Sequence, residues 1–272
     1  MKKTALEQIC IRPVIDPEGY EKFDRVCQLI AKTYFSIDKS HVDRALINTP
    51  KDSRYITLHT LIAVGEAKCP AYWISRDLLT ALLQSQMQVE PESLHWAMKV
   101  GIVMLPQDMV RSPGGYSAQA VLWHVTDKEL YWVAICGQDV FCRRLTLGGN
   151  RKQFTDPETY NPQDIESFND YFQAVFLRVM VLMEARPELI EESAQTTVVN
   201  QGFAKSKARL LYQPNWIGKE YRLLTQGSPA IGTHASPKMH WRKGFLRLQP
   251  YGEGRTRRKL IWIEPTLVMS SK

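Results

Sequence analysis

The pattern of apolar and polar positions predicts helices in the first hundred residues and alternating strands after them. Apolar residues at helical spacing occur in residues 16–35, 53–66, 76–84 and 91–100. Asp16 and Ser75 stand where the N-caps of the first and third of these helices are expected, because their side chains accept hydrogen bonds from backbone N–H groups. The N-terminal part is therefore predicted to be helical.

The period of the pattern becomes alternating between residues 117 and 149. Three strands of an antiparallel meander are predicted at residues 121–125, 130–136 and 140–147. His124 lies among large apolar residues of the first strand, and we expect it to be a hydrogen-bonded core residue.

A long helix is predicted after the meander. Asn161 is the expected N-cap, Pro162 falls in the first turn, and Pro187 marks the end. The helix is apolar on several faces, as is typical of a central buried helix. Its main stripe consists of Ile165, Phe168, Phe172, Val175, Val179 and Met183.

Together these elements predict an α+β protein in three parts. Residues 1–191 form a body of helices and the β-meander, and residues 210–272 form a basic C-terminal β region. Between them, residues 192–209 are small and polar, so they are predicted to be a linker or an exposed loop.

The C-terminal part predicts a β-hairpin with one irregular strand. Simple alternation from residue 239 to 248 places Trp241 and Leu246 on opposite faces. One extra residue at Gly244 would bring both onto the core side, so we predict a β-bulge there. Residues 257–263 are the expected partner strand, joined by a turn with two glycines.

Composition limits the class of protein. The chain has 272 residues, 44% of them hydrophobic, and its five cysteines are never spaced C-x-x-C. We expect a globular protein of a reducing compartment, without a metal site or a cofactor. No apolar segment of signal-peptide or membrane-spanning length is recognised, so a cytoplasmic protein without membrane association is predicted.

Charge is concentrated at the C-terminal end. Residues 201–272 hold 14 Lys/Arg and 3 Asp/Glu, whereas the whole chain holds 35 and 28. Such asymmetry suggests an acidic partner such as nucleic acid, although cations that solvate the sheet or pair with the body are equally consistent with it. The candidate nucleic-acid-binding residues are His240, Arg242, Lys243, Arg247, Tyr251, Arg255, Arg257, Arg258 and Lys259.

The same region resembles a known family. "HWRKG", a glycine-containing turn at Gly252 or Gly254, and "RKLIWIEP" are similar to the C-terminal signature of the second-named type V-A anti-CRISPR family, and "NWIGKEYR" resembles its Ile-Gly segment. The clear similarity covers residues 215–268. Its structural signature residues are Ile217, Gly218, Trp241, Gly244, Trp262 and Pro265. The chain departs from the family where Phe245 and Leu246 replace the usual His-Trp.

The resemblance implies an inhibitor carried by a mobile genetic element, a phage or a plasmid. It implies that the protein lowers production of a type V-A CRISPR effector during translation in the bacterial cytoplasm. The implied partners are the nascent N-terminal polypeptide of the effector and its message. We expect the basic hairpin to contact RNA or the ribosome.

Two alternatives remain open at the level of the sequence. A ribonuclease would need an acid–base pair and a cation, which His234 or His240 and Arg242 could supply. A plasmid or phage regulator that binds nucleic acid would need a recognition element, and no helix-turn-helix with a basic second helix is evident. No motif of a known catalytic class is present, so a non-enzymatic protein is predicted.

Overall fold

The computed structural model describes residues 53–67, 69–89, 94–96, 98–137, 139–148, 161, 163–193, 197–199, 209–211, 213–223 and 240–268. It has the predicted α+β class. The helix predicted at residues 16–35 lies outside the described residues.

The described helices are α1 (Ser53–Ala67), α2 (Arg76–Leu83) and α3 (Ile165–Ala185). The first ten strands are β1 (Ala71–Ile74), β2 (Ser85–Gln88), β3 (Val100–Met104), β4 (Ala118–Val125), β5 (Glu129–Cys136), β6 (Asp139–Thr146), β7 (Ile190–Glu191), β8 (Thr197–Val199), β9 (Arg209–Leu211) and β10 (Asn215–Ile217). They are followed by β11 (His240–Arg242), β12 (Gly244–Tyr251), β13 (Arg257–Ile263) and β14 (Thr266–Val268).

A seven-stranded mixed sheet with the order β6-β5-β4-β3-β1-β10-β7 forms the centre of the fold. Strands β3 to β6 pair antiparallel, which confirms the predicted meander. Strand β1 is different, because it pairs parallel with β3 on one side and with β10 on the other. The C-terminal region thus supplies β10 to the central sheet, beside a strand from the N-terminal third.

The two faces of the sheet are covered by different helices. On one face, Leu61 and Val64 of α1 pack with Trp73 and Leu122. On the other face, aromatic side chains of α3 meet the indoles of the meander, with ring centroids of Trp132 and Phe172 5.5 Å apart. Nearly every residue of α3 from Phe168 to Met183 is buried, which confirms the predicted central helix.

The N-cap of α3 differs from the prediction. Asp164, not Asn161, caps the helix, because its Oδ2 accepts the N–H of Ser167 at 2.7 Å. Asn161 instead accepts the N–H of Gln163 at 3.1 Å and closes a turn before the helix. The N-cap predicted for α2 is correct, since the hydroxyl of Ser75 accepts the N–H of Leu78.

The helix predicted at residues 91–100 is wrong over its described residues. Residues 94–96 are not helical, and Trp96 has a φ of 48°. Val100 already belongs to β3, where it pairs with His124. Trp123 donates its indole N–H to the carbonyl of Met98 at 3.1 Å, so packing against the meander replaces helical hydrogen bonds.

Part of the segment predicted as a linker or loop is ordered as strand. Residues 197–199 and 209–211 pair antiparallel as β8 and β9. The division of the chain into a body, a linker and a C-terminal region stays a prediction.

The C-terminal strands form two small sheets. Strand β12 pairs antiparallel with β13 and parallel with β2, which gives the order β13-β12-β2. Strand β11 pairs with β14. We call β12 and β13 together the ribbon. No helix in the described part of the chain is long and apolar enough to cross a membrane.

Candidate nucleic-acid interface

One face of the ribbon is anchored in the protein core. Leu246 is fully buried and Trp262, directly opposite on β13, is 6% exposed. The indole N–H of Trp262 donates to the hydroxyl of Ser85 at 3.1 Å, which ties β13 to the start of β2. Tyr221 lies beside the same indole, with ring centroids 5.7 Å apart. These contacts hold the ribbon against the end of the body.

Gly244 permits a close approach of β12 to Ser85 and Pro265, and it does not form the predicted β-bulge. Arg242 pairs with Thr266 and Phe245 with Ile263, so two residues lie between these pairs on each strand and neither strand has an extra one. A Cβ at Gly244 would lie 2.2 Å from the Ser85 hydroxyl and 2.8 Å from Pro265 Cδ. Only glycine fits where β12 passes between those side chains.

The opposite face of the ribbon, its outer face, carries cations and an exposed aromatic ring. Residues directly opposite on paired strands share a face, and faces alternate along each strand. The outer face therefore consists of Phe245, Arg247, Gln249, Tyr251, Arg257, Lys259, Ile261 and Ile263. Arg247, Arg257 and Lys259 are exposed, and Tyr251 is 45% exposed.

The turn between the strands uses left-handed backbone at three residues. Gly252 and Gly254 have φ values of 81° and 63°, as expected for the two glycines, and Arg255 has a φ of 54°. The backbone carbonyl of Arg255 accepts a hydrogen bond from the Arg258 guanidinium at 2.8 Å. This bond fixes one arginine at the mouth of the turn.

The cations of the C-terminal strands have no carboxylate partner among the described residues. This holds for Arg242, Lys243, Arg247, Arg255, Arg257, Arg258 and Lys259. The charge of Lys259 does act on one carboxylate of the body: the pKa of Glu188 lies below its ordinary value mainly because Arg186 hydrogen-bonds it, with a smaller contribution from Lys259. The positive charge of the outer face is therefore not neutralised by ion pairs within the described parts of the chain.

The comparison with protein families decides what kind of protein carries this surface. The family model of the AcrVA2-like proteins, the anti-CRISPR type V subtype A2 family, matches residues 72–270. This chain belongs to that family. The match extends from β1 to the end of β14, well beyond the segment in which the sequence motifs lie. Searches of curated proteins and of solved structures found no match.

The signature residues of this anti-CRISPR family member that the structure describes are buried or lie at tight positions of the backbone. Ile217 is fully buried at the end of β10, and Gly218 has a φ of 67°. Trp262 and Pro265 are buried, and Pro265 lies beside Gly244. The side chains of His240 and Trp241 lie outside the described residues, although their backbones pair with Val268 and Leu267.

The two residues that depart from the family pattern have different surroundings. Leu246 belongs to the buried core, whereas Phe245 is half-buried on the outer face. At position 245 the chain therefore presents a phenyl ring beside the cations, on the surface that we consider for nucleic acid. Aromatic rings on such surfaces can stack with bases.

Sequence reasoning missed two contributors to this region. Strand β2 completes the sheet beside β12, although the short alternation of Gln86, Met87 and Gln88 was a signal for it. Glu264 was also missed, and it accepts hydrogen bonds from Arg186 at 3.4 Å and from the Tyr221 hydroxyl at 3.3 Å. No local pattern indicates these two hydrogen bonds of Glu264, because Arg186, Tyr221 and Glu264 lie far apart in the chain.

Proposed function

We propose that this protein lowers production of a type V-A CRISPR effector during translation, by engaging the nascent N-terminal polypeptide and the message. In this proposal the outer face of the ribbon contacts RNA or the ribosome. The protein acts in the cytoplasm of a bacterial host as the product of a phage, a plasmid or another mobile element.

One observation carries the nucleic-acid part of this proposal. Arg247, Arg257 and Lys259 share one exposed face, and no carboxylate of the described residues pairs with them. An RNA strand carries one phosphate for each nucleotide, and each phosphate that a cation neutralises releases a counterion. Tyr251 and Phe245 offer ring surface on the same face, as in surfaces that bind single strands by stacking.

We further propose that the protein does not cleave RNA itself. General acid–base cleavage needs two groups that exchange protons near the scissile phosphate. The described side chains of the outer face include no imidazole and no carboxylate. Purified protein mixed with message in the absence of ribosomes should leave the message intact, and cleavage there would favour the ribonuclease alternative.

The RNA contact is tested by reversing charge on the outer face. The variant with Arg247→Glu and Arg257→Glu should lose at least about tenfold in affinity for a fluorescent single-stranded RNA. Its plot of log affinity against log salt should also be shallower, by about 0.7 for each lost phosphate contact. A variant with Lys99→Glu and Lys128→Glu is the matched control, because both lysines are exposed on the body. Equal affinity of the two variants would contradict the proposal.

The nascent-chain part is tested separately with three messages in a reconstituted translation system. The first encodes the effector. The second is recoded synonymously over the N-terminal segment, so that the peptide stays the same and the RNA changes. The third carries compensating frameshifts around that segment, so that the peptide changes and most of the RNA stays the same.

If the peptide is recognised, the protein should lower the yield from the first two messages and spare the third. Inhibition that follows the RNA sequence instead would overturn recognition of the nascent chain. The variant with Arg247→Glu and Arg257→Glu should inhibit less on all messages that the wild type inhibits.

A further inference from the structure

A second surface rich in aromatic and cationic groups lies at the end of the central sheet. Strands β1 and β10 are parallel neighbours, and their carboxyl ends meet at the start of α2. A cavity of about 390 Å³ lies there. Sheets with parallel strands commonly bind ligands in the crevice outside the carboxyl ends of the strands, and this volume falls within the range of small-molecule pockets.

Aromatic rings form one wall of the cavity. Trp216 is half-buried, and its ring lies edge-on to the buried Trp73, with centroids 6.4 Å apart. The ammonium group of Lys219 lies 6.0 Å from the centroid of the Trp216 ring. The buried indole of Trp73 thus packs against the indole of Trp216, part of which remains accessible from the cavity.

Cations from two separate segments form the rest of the lining. Arg76 lies at the start of α2, and Lys219 and Arg222 lie in the loop that follows β10. All three are exposed. The guanidinium Nη1 of Arg222 donates to the carbonyls of Lys219 and Tyr221, at 3.0 and 2.9 Å, which holds the group beside the cavity.

One carboxylate, that of Asp77, also lines the cavity. Its Oδ2 accepts the N–H of Leu223 at 3.3 Å, so it fastens the loop to the start of α2. The guanidinium of Arg76 already donates to the carbonyl of Gln107 at 3.0 Å, so the positive charge of the lining rests on Lys219 and Arg222, two cations against the one carboxylate of Asp77. Such a lining favours an anion, and arginine is well suited to phosphate.

Gly218 brings the loop to the helix. Its φ of 67° lies in the left-handed region, and a Cβ there would lie 2.4 Å from Leu78 Cδ2. Its N–H donates to the carbonyl of Leu189 at 2.7 Å. Gly218 of the Ile-Gly segment therefore shapes this cavity, while Tyr221 of the same segment packs against Trp262 of the ribbon.

We propose that this cavity is a nucleotide-binding site, in which a base stacks on Trp216 and its phosphate lies among Lys219, Arg222 and Arg76. Base stacking on aromatic side chains and phosphate binding by arginine and lysine are the two contacts that such a lining provides. The site takes a free nucleotide or the terminal nucleotide of an RNA strand. The proposal does not rest on the function proposed for the ribbon.

The test measures binding of adenosine 5′-monophosphate to the full-length protein by isothermal titration calorimetry. Adenosine and inorganic phosphate should each bind more weakly than the nucleotide. Lys219→Glu should weaken nucleotide binding about tenfold or more, because it replaces a phosphate partner with a repelling charge. Trp216→Leu should weaken both the nucleotide and adenosine. Lys99→Glu, which reverses an exposed charge outside the cavity, should leave the affinity unchanged.

Two results would overturn the proposal. The first is a nucleotide affinity that Lys219→Glu leaves unchanged. Lys219 is exposed, and a circular dichroism spectrum that matches the wild type shows that the variant is folded. The second is equal binding of the nucleotide and inorganic phosphate, which would indicate a general anion site. A failed test would leave the ribbon's RNA contact standing, because that contact depends on other residues.

A second arm distinguishes the two sources of the nucleotide. A short RNA is compared with and without a 5′-phosphate. If the site takes a strand terminus, the phosphorylated RNA binds more tightly, and Lys219→Glu removes the difference. If the site takes free nucleotides, both RNAs bind equally and adenosine 5′-monophosphate still binds with the same dependence on Lys219.

Discussion

The arginines of the body and those of the ribbon lie in opposite electrostatic surroundings. In the body, Arg143 of β6 pairs with Glu166 and Asp170 of α3, and Arg144 pairs with Glu129 at 3.2 Å. In the ribbon, Arg247 and Arg257 are exposed and have no such partner among the described residues. Arg143 and Arg144 join elements of the fold, whereas Arg247 and Arg257 leave their charge available to a partner.

The difference has a simple cause in the distribution of acidic residues. Helix α3 carries Glu166 in its first turn, where a carboxylate interacts favourably with the helix dipole, and Asp170 in its second turn; both carboxylates pair with Arg143 of β6. Residues 201–272 hold three acidic residues in all. Of these, Glu264 is already engaged by Arg186 and Tyr221. A basic ribbon with so few local carboxylates keeps a positive surface.

The largest change in the free energy of unfolding is expected from a substitution at the place where the ribbon is anchored to the body. Gly244→Ala should lower the free energy of unfolding by about 3 kcal/mol, because the new methyl group meets Ser85 and Pro265. Urea denaturation measures this loss. Gly148→Ala is the matched control, since a Cβ there meets none of the described residues within 4 Å and its φ of 76° is the unfavourable feature. The control should lose about 1 kcal/mol, and an equal loss at both sites would refute the close-packing role of Gly244.

Truncating one arginine in each region tests the comparison directly. Arg143→Ala should lower the free energy of unfolding by about 1–2 kcal/mol, because two ion pairs and a largely buried side-chain stem are lost. Arg247→Ala should change it by less than about 0.5 kcal/mol. The same denaturation experiment measures both. A loss at Arg247 as large as that at Arg143 would mean that the ribbon arginine has a structural partner.

A histidine pair should make the stability of the body depend on pH. The Nδ1 atoms of His59 on α1 and His124 on β4 lie 3.3 Å apart, as expected for a hydrogen-bonded His124. Burial lowers the pKa of both groups, His59 lowers that of His124 further, and Glu129 partly opposes the shift at His59. The folded state therefore favours neutral imidazoles and binds fewer protons than the unfolded state.

The sign of the dependence follows from that difference in bound protons. Stability from this pair should be complete above the ordinary histidine pKa of 6.5 and be lost as the pH falls through the lower folded values. Urea denaturation from about pH 8 to about pH 5 measures the decline. A variant with His59→Gln and His124→Gln should show a flatter curve, and a curve as steep as that of the wild type would assign the dependence to other groups.

The smallest change in the free energy of unfolding is expected when a cation of the ribbon is given a carboxylate partner, as the arginines Arg143 and Arg144 of the body have. Gln249 lies directly opposite Lys259, so Gln249→Glu places a carboxylate beside an exposed ammonium group. The cross-strand pair should raise the free energy of unfolding by about 0.2–1 kcal/mol and weaken RNA binding by a few-fold. Gln163→Glu, at an exposed position before α3, is the control and should leave RNA affinity unchanged. Unchanged RNA affinity for both variants would place the RNA contact elsewhere.

Local patterns predicted the elements whose type and burial are determined by residues close together in the sequence. The meander was predictable because its strands follow one another and alternate in sequence, so each strand pairs with its neighbour. Helix α3 was predictable because its apolar residues cover several faces and it is buried on them. The N-cap of α3 was not, because Asn161 and Asp164 are both good caps and the choice depends on which turn each one closes.

The ribbon illustrates the limit of such patterns. Alternation predicted that Leu246 is buried and Arg247 is exposed, and the structure agrees. The role of Gly244 was mistaken because its neighbours Ser85 and Pro265 are not evident from the residues around it. A glycine that avoids a clash and a glycine that forms a bulge look the same in sequence.

By itself the sequence determined the basic C-terminal end, the alternation that buries Leu246 and exposes Arg247, and a family signature that the full match confirms. Only the tertiary structure decided that β10 joins β1 and that β2 joins β12. Those pairings depend on which apolar surfaces remain to be covered once the local elements have formed. Such contacts bring distant segments together, so no short stretch of sequence records them.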